Sequence, residues 1–86
     1  MDKLKRFRKQ IDDLDMELLY LIKKRMRIVK KVGLYKKTKK LPVLDKKRWK
    51  KVLETRLLKA RKSNLNLSFT KKLFELIHNQ ALKIEK

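Results

Sequence analysis

Apolar residues recur along the first part of the chain at Leu4, Phe7, Ile11, Leu14, Leu18, Leu21, Ile28, Val32 and Tyr35. The steps alternate between three and four, which is the seam of one long helix with a heptad pattern. One step is missing, between Leu21 and Ile28, and Arg25 fills it. A guanidinium does not lose its proton, so its burial is costly unless an anion meets it. No acidic residue stands three or four positions from Arg25. Either the helix turns Arg25 out to water, or the chain keeps an anion site inside its core.

The same pattern predicts three helices and no strand. Helix 1 spans about residues 2–37, roughly 50 Å at about 1.5 Å per residue. That exceeds the diameter of an 86-residue domain, so much of the seam needs a partner outside its own chain. An intertwined dimer would supply one. Pro42 forces Leu41 out of helical geometry, and the segment from Thr38 to Leu44 reads as a loop. Asp45 is placed to cap helix 2, about residues 46–62, with Trp49, Val52, Leu53, Leu57 and Ala60 inward. Ser68 is placed to cap helix 3, about residues 68–86, which turns Phe69, Leu73, Leu76, Ile77, Ala81 and Ile84 inward.

Composition narrows the chemistry. A chain this short buries only about 60% of its unfolded surface. It has no cysteine and a single histidine, His78, so neither a disulfide framework nor a metal cluster supports it. Association remains as the way to enlarge the core. The chain opens directly in helical pattern with no signal-like or membrane-spanning stretch, so a single cytoplasmic domain is expected. The 28 Lys and Arg against 9 Asp and Glu give a net charge of +19. Such a surface draws nucleic acid, anionic membranes and small anions alike. Most lysines fall on polar faces, where solvation accounts for them.

Four basic residues stand out from that background. Lys36 lies eleven residues after Arg25, three turns on with about 20° of drift. The two share a face about 16 Å apart, a span that long side chains can close around a small ligand. Arg8 lies seventeen residues before Arg25, roughly 25 Å away and about 100° around the helix. It cannot enter the same pocket from the same chain but can enter that of a symmetry mate. Arg48 falls in the first turn of helix 2, three residues after Asp45. His78 reads as a partly exposed polar residue without assigned chemistry.

These residues resemble the all-helical chorismate mutases. The resemblance covers nearly the whole chain. Its stretches are Arg8-x-x-Ile11-Asp12-x-x-Asp15-x-x-Leu18-Leu19-x-Leu21-Ile22-x-x-Arg25, then Val32-Gly33-x-Tyr35-Lys36, Pro42-Val43-x-Asp45-x-x-Arg48 and Leu73-Phe74-x-x-Ile77. The resemblance implies an intertwined helical homodimer with two sites, each drawing on both chains. It implies rearrangement of chorismate to prephenate, in phenylalanine and tyrosine biosynthesis, without metal or organic cofactor. By the same resemblance Arg25 and a partner's Arg8 grip the two carboxylates, and Lys36 donates to the ether oxygen. Arg48 holds the enolpyruvyl side, and the backbone near Asp45 lies by the ring hydroxyl.

Three positions depart from the family's pattern. Trp49 stands where a glutamate usually contacts the ring hydroxyl. Ala81 stands where a serine is common, and Glu85 where glutamine is frequent. A glutamate donates to the ether oxygen only when protonated, and Lys36 nearby favours its charged form. Activity is therefore expected to fall as pH rises through the apparent pKa of Glu85. Two other functions compete. An isochorismate-pyruvate lyase shares the scaffold, but members of that branch lack the equivalent of Arg48. A basic helical nucleic-acid-binding protein would suit the charge. However, no Arg-rich recognition stretch is present, and the aromatic residues read as core. Neither specific nucleic acid nor a membrane is expected as a partner.

Overall fold

The computed structural model describes residues 2–86, which form three α-helices: α1 (Lys3–Thr38), α2 (Lys46–Lys62) and α3 (Leu67–Glu85). The all-α architecture with a very long first helix is the one the periodicity predicts. Each helix begins at a side-chain cap that satisfies an otherwise unpaired backbone N–H. Asp2 accepts from Lys5 N at 2.8 Å and Asp45 from Arg48 N at 2.9 Å. Helix α3 begins earlier than expected. Asn66 caps it, accepting from Phe69 N at 2.8 Å, and Ser68 lies inside the first turn. Asparagine caps as well as serine, and Thr70 reinforces this start by donating its hydroxyl to the Asn66 carbonyl.

The first two helices end alike. Lys40 and Asn64 are left-handed, with φ of 56° and 58°. Leu41 N donates to Lys36 O and Leu65 N to Ala60 O, so each end is a Schellman closure. The left-handed Lys40 therefore stops α1, and Pro42 follows the stop.

Helix α3 packs on α1 and on α2. It meets α1 at Gly33, where a Cβ would stand 2.8 Å from the Glu85 Cα and 2.9 Å from its carbonyl oxygen. Only the missing side chain permits that approach. Around it, Ile22, Arg25, Met26, Val29 and Lys36 form the half-covered face of α1. The heptad seam lies beside this face and stays open: Leu14 is 61% exposed, and Phe7, Ile11, Leu18, Leu21 and Ile28 are similar. In α2, Val52 and Ala60 are buried and Trp49, Leu53 and Leu57 half-buried, as expected. In α3, by contrast, Phe69 and Leu76 are 61% and 68% exposed rather than inward. Phe7, Tyr20 and Tyr35 are exposed as well, so the aromatic residues are not gathered in one core. The reason is geometric: α3 covers one stripe of a helix whose apolar surface is wider than that stripe.

The chain is extended, 57 × 25 × 15 Å with a radius of gyration of 16.4 Å. A compact domain of this length would have a radius near 12 Å. It exposes 7854 Å², whereas a compact monomer of its mass exposes roughly 5,400 Å². No described helix is long and apolar enough to cross a membrane.

Candidate active site

The three helices enclose one cleft of about 160 Å³. Arg25 and Lys36 reach it from α1, Asp45 and Arg48 from the start of α2, and Ala81 and Glu85 from α3. Val29, Val32, Val43, Val52 and Leu82 supply its apolar lining. Six of the seven residues singled out in the sequence thus meet in one place. Arg8 does not line it. It lies exposed on α1, roughly 25 Å along the helix from Arg25.

Arg25 is half-buried, and its Nη1 is fully shielded with no hydrogen-bond partner among the described residues. The chain does not turn this residue out to water. Burial lowers the Arg25 pKa from its ordinary value, and repulsion from Arg56 and Arg48 lowers it further. A guanidinium still stays charged under such pressure, so the cleft holds concentrated positive potential and a donor without an acceptor.

Lys36 is held from two directions. Its Nζ donates to the Val43 carbonyl at 2.7 Å and to Glu85 Oε1 at 2.6 Å. The Schellman turn at Lys40 brings Val43 back over the end of α1. The close approach at Gly33 brings Glu85 in from α3. Glu85 is buried and locked in this ion pair, not solvated at a loose helix end. An ammonium has three N–H donors, so Lys36 keeps one for a ligand. Asp45 caps α2 with Oδ1, which accepts from Arg48 N, and the residue lines the cleft at the start of that helix.

His78 and Trp49 also line the cleft, stacked with ring centroids 3.9 Å apart and planes 9° from parallel. The sequence carried a signal for His78 that its isolation obscured. It precedes Glu85 by seven residues, two turns, so both lie on one face of α3.

A family model described as chorismate mutase type II matches residues 7–86. The chain belongs to the chorismate mutase type II family. Among similar proteins, the T-protein of Haemophilus influenzae is 38% identical over 66 residues, covering 77% of this chain and 18% of that protein. The bifunctional chorismate mutase/prephenate dehydratase of Buchnera aphidicola is 30% identical over 80 residues, covering 93% of this chain and 21% of that protein. The chain therefore spans about a fifth of the length of the curated relatives it matches.

Proposed function

We propose that this chain is a chorismate mutase that rearranges chorismate to prephenate in a cleft completed by a second copy. The observation that carries this reading is the shielded, unpartnered Nη1 of Arg25 in a cleft shared with Lys36 and Glu85. Chorismate is a dianion, and its rearrangement needs neither proton transfer nor a covalent intermediate. It needs the enolpyruvyl arm held over the ring, an entropic constraint that clamping both carboxylates supplies. Arg25 takes one carboxylate and Arg8 of the partner subunit the other, while Arg48 steadies the enolpyruvyl arm.

Negative charge develops on the ether oxygen as its bond to the ring breaks. The third N–H of Lys36 meets that charge, with its position fixed beforehand by Val43 and Glu85. A donor fixed in this way stabilises the transition state more than the substrate. Glu85 accepts from Lys36 and so holds that donor in place toward the ether oxygen.

The second copy is argued from area. The surplus over a compact monomer is roughly 2,400 Å² per chain, and the apolar seam of α1 is exposed along its length. Obligate homodimers bury roughly 2,000–5,000 Å² in total, so pairing of two α1 helices fits the surplus. Incubating purified protein separately with chorismate and with isochorismate tests the reading. Prephenate from chorismate is the expected product. Pyruvate from isochorismate, with chorismate untouched, would assign the cleft to a lyase instead.

A further inference from the structure

His78 has no part in the reaction just described, yet its position in the cleft is built. The Trp49 indole covers one face of its ring at 3.9 Å. A parallel stack fixes the plane of the imidazole and leaves the ring edge, which carries both nitrogens, as the part that meets a ligand. No hydrogen bond among the described residues engages either nitrogen. His78 also stands one turn from Ala81 on α3 and directly on Trp49 of α2.

The charges around His78 set its state. Arg25 and Lys36 face the cleft from α1, Asp45 and Arg48 from α2, and Glu85 from α3 itself. Burial pushes the imidazole below its ordinary pKa, Glu85 pulls it back up, and Arg25 lowers it again. The net direction is down, so the ring is neutral at neutral pH while the cleft holds no anion. A dianion reverses the balance. It neutralises Arg25 and brings two negative charges close to the ring, and both effects favour the imidazolium.

We propose that His78 is a substrate-binding residue of this cleft, whose imidazole donates a hydrogen bond to an anionic oxygen of the bound dianion and takes up a proton from solvent as that dianion enters. This rests on the reading of the cleft as a dianion site. The sign follows from linkage: binding that raises a pKa takes up protons, and affinity falls as pH rises between the free and bound values. Glu85 is a second ionisable group lining the cleft, so the test removes it to isolate the contribution of His78.

The test is calorimetric titration of the dimeric protein with a stable bicyclic dicarboxylate that mimics the chair-like transition state. Buffers of different ionisation enthalpy, between about pH 6 and 8 where histidine titrates, report proton uptake directly. The Glu85→Gln protein should still take up as much as one proton, with affinity falling by as much as tenfold per pH unit. Adding His78→Phe, which keeps an aromatic ring on Trp49, should abolish the uptake and flatten the profile. Adding His78→Gln, which keeps a donor that cannot titrate, should flatten the profile while retaining more affinity than His78→Phe. Equal proton uptake with and without His78 would overturn the proposal and leave the dianion reading intact. Failure of the dicarboxylate to bind, or equal binding to Arg25→Ala, would overturn both.

Discussion

Gly33→Ala separates the positioning of the site from the stability of the fold. The new methyl carbon would stand 2.8 Å from the Glu85 Cα and 2.9 Å from its carbonyl oxygen, both backbone atoms. Ordinary contact begins at 3.4 Å, so the last turn of α3 must retreat by about 0.6 Å. Two stability terms then oppose each other. Alanine gains about 1 kcal/mol over glycine in a helix interior, and overpacking costs about 1–3 kcal/mol. The net loss is roughly 0–2 kcal/mol, a fall in unfolding temperature of between about 0 and 15 °C for a chain of this size. Activity should suffer more. The same retreat carries Glu85 off Lys36, lengthening a 2.6 Å bond and freeing the ammonium from one of its two anchors. A misplacement near 1 Å costs on the order of a hundredfold in rate, so kcat should fall about ten- to a hundredfold. Thermal unfolding and steady-state kinetics on the same preparation check both halves. A Gly33→Ala protein that is more stable and fully active would refute the reasoning, because α3 would then not be pressing on α1 at this point.

Other perturbations address single elements of the account. Glu85→Ala frees Lys36 from one of its two anchors and should lower kcat about ten- to a hundredfold; an unchanged kcat would exclude Glu85 as a positioning residue. Leu14→Asp should lower the unfolding temperature markedly and make it more dependent on protein concentration. A monomer with the same exposed Leu14 would change by less than about 0.5 kcal/mol. Lys40→Gly should raise stability by roughly 0.5–1 kcal/mol, since relief of left-handed strain exceeds the entropy added to the unfolded chain. Denaturant titration reads this effect, and unchanged activity would show that Val43 still holds Lys36.

The sequence revealed some levels of this structure more readily than others. The long helix was legible because its seam repeats over nine apolar positions, and Asp45 was legible as a cap because Pro42 marks the loop before it. The meeting of Arg25 with Lys36 followed from helical phase alone. Which face of α1 would be covered did not follow. The heptad seam and the α3-facing stripe adjoin, and Arg25 borders both, so helical phase alone does not decide which of the two is covered. The cap of α3 was misplaced because Asn66 and Ser68 both suit the role and only the backbone path chooses between them. The anchoring of Lys36 by Val43 depends on a left-handed lysine, which no propensity favours. His78 was obscured because its partner Trp49 lies on another helix, twenty-nine residues away.

The central claim is that the Arg25 cleft binds chorismate and turns it over. Chorismate depletion and prephenate formation by the purified protein, measured beside Arg25→Ala, test it most directly. Removing one member of a buried charge pair costs about 2–5 kcal/mol, so kcat/KM should fall at least thirtyfold while the variant stays folded and keeps its oligomeric state. A folded Arg25→Ala protein with full activity, or a wild-type protein that leaves chorismate unchanged, would contradict the account.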